Sequence, residues 1–137
     1  MYKRLLTLLL ISVVCLSFAG CKKDDEINST MADIHTATDE IVKKIDTSPT
    51  VEGVDDAQKY WDSKKADLKK KWDGIKGARG FQVSDDTKKK MGESYINDSM
   101  AMKNLEIKHM GVTIRDAAFK SKLEKLVKEW DDTFALQ

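Results

Sequence analysis

The sequence predicts an all-α fold, arranged as an up-down-up-down four-helix bundle. Two observations carry this reading. Apolar residues recur at three- and four-residue spacing in four separate segments, and no stretch shows the strict alternation of a strand. The one proline, Pro49, falls between two of those segments. Long helices joined by short connections favour antiparallel neighbours around a shared core. The alternative is a three-helix bundle with a long last helix, formed if the third and fourth segments run on through Gly111. The apolar phase continues through His109, Val112 and Phe119 and keeps that option open.

The first helix is expected over Asn28 to Asp46. Ile27, Met31, Ile34, Thr38, Ile41 and Ile45 follow one another at steps of 4, 3, 4, 3 and 4, a heptad-like seam with one polar member. Asn28, Ser29 and Thr30 offer N-caps, and Asp33 stands three after Thr30 as in a capping box. Thr47-Ser48-Pro49 ends the helix. The second begins between Val51 and Asp55 and runs to about Lys76. Val54, Trp61, Leu68 and Ile75 recur at seven-residue intervals. Trp72 joins them, and Lys65 interrupts the row.

Ser84, followed by Asp85 and Asp86, caps the third helix, which runs to about His109. Met91, Tyr95, Met102 and Leu105 form one stripe on it, and Ile96, Met100, Ile107 and Met110 a second. Two stripes predict the widest apolar face and the most buried position. Phe81 and Val83, before it, are expected to tuck onto the core. Gly111 reads as a C-cap breaker. Thr113, with Asp116 three later, starts the fourth helix, which carries Phe119, Leu123, Leu126, Val127, Trp130 and Phe134.

The N-terminus has a different pattern. Lys3 and Arg4 precede an apolar run, Leu5 to Phe18, broken only by Thr7, Ser12 and Ser17. Spanning a hydrocarbon core takes about 20 apolar residues, so this run is short for a membrane helix and suits a signal-peptide core. Small Ala19 and Gly20 then precede Cys21. The stretch resembles the bacterial lipoprotein signal peptide: Ala19, Gly20 and Cys21 match its lipobox, while Phe18 stands where an aliphatic residue is usual. The resemblance implies cleavage before Cys21 and acylation (palmitate among the chains) of that cysteine. It implies a lipid-anchored protein of the bacterial envelope facing the periplasm. Lys22 replaces the aspartate that retains such proteins in the inner membrane, which favours the outer membrane. The organisation expected is residues 1–20 as leader, 21–27 as lipidated cysteine and short charged linker, and 28–137 as helical domain.

Removing residues 1–20 from the 137 leaves 117, enough for one domain with a modest core. Lys3 and Arg4 go with the leader, so 22 basic residues face 23 acidic ones. Such a balance argues against a nucleic-acid partner. Cys15 is discarded and Cys21 consumed, so thiol chemistry and disulfides are excluded from the domain. The partners expected are the membrane, through the lipid, and an envelope protein or a second copy of the chain.

Topology adds a basic corner. The start of the first helix and the turn between the second and third share one end of such a bundle. That turn holds Lys69, Lys70, Lys71, Lys76, Arg79, Lys88, Lys89 and Lys90 against Asp73, Asp85 and Asp86. Basic side chains beside an anionic leaflet gain about 1 kcal/mol each.

Little else carries chemistry. Glu106 and His109 form a single Glu-x-x-His, whereas a di-iron bundle needs two and further glutamates. Met110 beside His109 offers a soft ligand for copper, though methionine is a routine core filler. In size and helix count the chain is similar to periplasmic bundles of the cytochrome b562 type. Met31 matches their first haem ligand loosely, but the last helix has no histidine. No cofactor and no enzymatic activity are therefore expected. The alternative function is a periplasmic carrier of haem, copper or a hydrophobic molecule. Tyr60, beside Trp61 but off its stripe, is the aromatic expected to meet a partner.

Overall fold

The computed structural model describes the backbone of residues 2–78 and 83–135, with side chains from Lys23 onward. It is helical throughout, with no strand among the described residues. The elements are α1 (Tyr2–Thr47), α2 (Val51–Ile75), α3 (Asp85–Lys108), a single-turn α4 (Met110–Thr113) and α5 (Ala117–Phe134).

The seam expected on α1 is the buried face of that helix. Ile27, Met31, Ile34, Thr38, Ile41 and Ile45 are all buried. On α2, Val54, Trp61, Leu68, Trp72 and Ile75 are buried. On α5, Phe119, Leu123, Leu126, Val127, Trp130 and Phe134 are. Lys65, the interruption on α2, reaches across to Glu129 on α5 at 3.3 Å. Val83 tucks onto the core as expected; Phe81 lies outside the described residues.

The centre of the core is aromatic. Phe134 presents its edge or face to Trp130, Trp61 and Trp72 at centroid distances of 4.9, 5.8 and 5.9 Å. Tyr95 of α3 lies near-parallel to Trp72 and Trp130 at 5.8 and 6.3 Å. The Trp130 indole N–H donates to Thr38 Oγ1 at 3.1 Å, and that hydroxyl donates to the Ile34 carbonyl. The one polar member of the α1 seam is thus a hydrogen-bonded fixture of the core.

The order of neighbours departs from a simple up-down-up-down ring. α1 packs against α2 and α3, and α5 packs against α2 and α3 from the opposite corner. Cross-helix pairs fix the directions. Asp24 meets Ser84, His35 meets Asp98 and Asp46 meets His109, so α1 and α3 run parallel. Asp55 meets Lys122 and Gln58 meets Glu129, so α2 and α5 also run parallel. α2 and α3 therefore sit at diagonal corners, with α3 beside α1.

Three local expectations are corrected. Lys23 to Ile27 are not a linker: α1 continues through them, and tertiary contacts hold them. Lys23 Nζ donates to the Gly74 carbonyl at 3.2 Å, Asp24 accepts the Ser84 N–H at 3.0 Å, and Ile27 is buried. Asn28, Ser29 and Thr30 accordingly lie inside the helix instead of capping it. Gly111 is not a C-cap but part of α4; the break falls at His109, whose φ is −100° and ψ 20°. The last helix is capped by Asp116, not Thr113: its carboxylate accepts the N–H groups of Ala118 and Phe119, both at 3.0 Å. That cap separates α5 from α3, so the two are not one long helix.

Candidate functional site

The correction that matters most for function concerns α3. Its inner face carries Met102 and Leu105 together with polar Thr87, Asp98 and Ser99, all buried. The second stripe points away from the core. Ile96 and Met100 are each 55% exposed, Ile107 65%, Met110 51% and, continuing the row, Ile114 76%. The helix expected to be the most buried is instead the one that presents apolar side chains to solvent. Hydrogen bonds from His109 N–H to Leu105, Thr113 N–H to His109 and Ile114 N–H to Met110, each 3.0 Å, carry the helical path past the break. Ile107 and Met110 face a shallow hollow shared with Thr113, Lys120 and Glu124. Large apolar side chains exposed in a row on one helix face are surface that a partner could cover.

Two histidine–carboxylate pairs clamp α3 to α1. His35 Nδ1 lies 2.7 Å from Asp98 Oδ1, and His109 Nε2 lies 2.9 Å from Asp46 Oδ1, while Lys108 engages Asp46 Oδ2. The pairs stand eleven residues apart on both helices, three turns, and are mirrored: histidine on α1 in one, on α3 in the other. The hydrogen bond to Asp98, against the opposing effect of burial, raises the His35 pKa above the usual imidazole range. Burial raises the Asp98 carboxyl despite the His35 hydrogen bond, and Asp98 Oδ2 has no partner. Burial pushes Asp46 up, but bonds from Lys108 and His109 outweigh it and leave the carboxyl below its usual value. An imidazole oriented by a buried carboxylate is also the base of a hydrolytic triad. Here the other ring nitrogen of His35 faces Asp39 at 3.4 Å, where a triad needs a nucleophile. The geometry is that of a clamp.

Nothing in the sequence singled out Asp46 or Asp98 among the carboxylates. The matched eleven-residue spacing of His35/Asp46 and Asp98/His109 is the signal that marks them, legible only once α1 and α3 are known to run parallel.

The other expected residues fall as follows. Glu106, His109 and Met110 are not brought together: Glu106 and Met110 line the outer hollow, while His109 is buried, bonded to Asp46 and edge-on to Phe119 at 6.2 Å. No group of three potential metal ligands gathers among the described residues. Met31 is a core residue of α1. Tyr60 is half-buried rather than open, packed against the core, with Lys44 and Lys64 over its ring at 5.7 and 5.9 Å.

The basic corner does lie at the Lys23 end, as the contacts of Lys23 and Asp24 require. Its lysines are mostly paired. Lys69 and Lys76 each meet Asp73 at 2.8 Å, Lys71 meets Asp67 and Asp33, and Lys88, Lys89 and Lys90 meet Asp85, Glu93 and Asp86. Lys70 is exposed. Arg79, like Cys21, lies outside the described side chains. Among the described residues no helix is long and apolar enough to cross a membrane. No family model, curated protein or solved structure matches the chain.

Proposed function

We propose that this chain is a lipid-anchored protein of the bacterial envelope, facing the periplasm, whose helical domain binds protein and catalyses no reaction. We read the domain as a four-helix bundle of up-down-up-down direction with a diagonal crossing between α2 and α3. The observation that carries the binding role is the exposed row Ile96, Met100, Ile107, Met110 and Ile114. Leaving such a row in water forfeits roughly 1.5–3 kcal/mol for each large side chain that burial would return. The anchor rests on the lipobox-like Ala19-Gly20-Cys21. Lys23, two residues on, is already docked against the α2–α3 corner, so an acyl chain on Cys21 holds that end against the leaflet. The outer membrane is favoured by Lys22. The paired lysines of the corner supply a mixed-charge surface there, weaker as a lipid contact than an unpaired cluster.

A photo-crosslinking residue at position 107 of the full chain, in its membrane, tests the binding role. A protein adduct from position 107 and none from Lys64, which is exposed on α2, is the expected result. No adduct from position 107 contradicts it.

A further inference from the structure

We infer that the occupant of the exposed α3–α4 row is the same row of a second copy, packed antiparallel. This inference deepens the protein-binding reading above and rests on it.

The spacing is the first argument. With Lys103 included, the row reads Ile96, Met100, Lys103, Ile107, Met110 and Ile114, at steps of 4, 3, 4, 3 and 4. That is a coiled-coil seam, and it reads the same from either end. An axis at the level of Leu105 therefore sets Ile96 opposite Ile114, Met100 opposite Met110, and Lys103 opposite Ile107. A two-fold contact demands this self-complementarity. At 1.5 Å per residue the seam is at most about 27 Å long, shortened by the bend at His109.

Charge is the second argument, and it selects the direction. Lys103 is 60% exposed and only loosely held by Asp131 at 3.6 Å. Glu106 is exposed, and it has no ion-pair partner among the described residues; the nearby Lys120 pairs with Glu124. In the antiparallel pair each Lys103 stands across from Ile107 of the second copy, within side-chain reach of the adjacent Glu106, giving two ion pairs about the axis. Parallel pairing would oppose Lys103 to itself, a repulsive layer in the middle of the seam. Because α1 and α3 run parallel, the antiparallel pair sends the two Lys23 ends to opposite poles. Two chains anchored in one leaflet then lie along its surface.

Cysteine crosslinking of the full chain in membranes tests this. Differently tagged Met100→Cys and Met110→Cys chains, mixed and mildly oxidised, should yield a disulfide between positions 100 and 110. Either variant alone should yield no link at its own position; peptide mapping separates these from any link through Cys15 or Cys21. Ile107→Glu should abolish the 100–110 link. Lys103→Glu and Glu106→Lys should each reduce its yield severalfold, and the two together should restore it. A 100–100 link overturns the antiparallel pairing. An adduct joining these positions only to a different protein overturns self-association while leaving the protein-binding reading intact. No protein adduct from this face, by disulfide or by the probe at position 107, overturns both.

Discussion

Single residues hold the corners of this fold. The tight turn between α1 and α2 depends on Gly53: a Cβ there would stand 1.9 Å from the Ser48 carbonyl oxygen. Thr50 caps α2 by accepting the Gly53 N–H, so the backbone cannot withdraw without losing that cap. Gly53→Ala is therefore predicted to cost about 2 kcal/mol, within the range of sterically strained substitutions, measured by denaturant unfolding. The His35–Asp98 clamp predicts a pH effect. Both groups have folded-state pKa values above their ordinary ones. A raised folded pKa means stability that is full below the unfolded value and lost as pH rises through the folded one. For His35 the loss begins near 6.5 and continues upward; for Asp98 it begins near 3.8. Asp46, lowered, acts in the opposite sense, losing its contribution as pH falls below 3.8. An NMR titration of His35 should give a midpoint above that of an unstructured peptide. In Asp98→Asn the midpoint should move back toward it; an unchanged midpoint would contradict the clamp. Neither Asp98 nor Asp46 was legible in the sequence, since a carboxylate's partner on a helix some sixty residues away leaves no local trace.

At the scale of elements, periodicity was a sound guide for three helices and a poor one for α3. The seams of α1, α2 and α5 each have one apolar row, so the row must be the buried one. α3 has two rows of similar apolarity, and periodicity alone cannot rank them. Packing ranked them through polar neighbours: Asp98, Ser99 and Thr87 share the inner face with Met102 and Leu105, and Asp98 is held there by His35. This register has a direct test. Leu105→Ala should cost about 2–5 kcal/mol as a buried leucine. Ile107→Ala, two residues away on the outer row, should stay within about 0.5 kcal/mol in the monomer. Equal costs would mean the register is wrong. The charged stretch Lys23 to Glu26 departs from its expected linker role for a related reason. Its composition is that of a linker, but contacts with the Gly74 carbonyl and the Ser84 N–H make it a turn of helix.

For the whole molecule, the proposed anchor and the exposed α3–α4 row lie on different parts of the fold. The Lys23 end gathers the start of the domain and the α2–α3 corner, while the α3–α4 row runs along the flank. The helical class and the core residues of α1, α2 and α5 were legible from spacing alone; those of α3 were not. The ring order was not, because a connection long enough to cross the end permits more than one arrangement of the same helices. The proposed anchor rests on sequence alone, at Ala19-Gly20-Cys21, and its prediction concerns covalent chemistry. It is tested most directly by the intact mass of the full chain recovered from bacterial membranes, beside Cys21→Ala. The account predicts a chain beginning at Cys21 and carrying the added mass of acyl chains, with Cys21→Ala retaining residues 1–20 and no lipid. An unmodified Cys21, or a Cys21→Ala chain that matures to the same cleavage point, would contradict it.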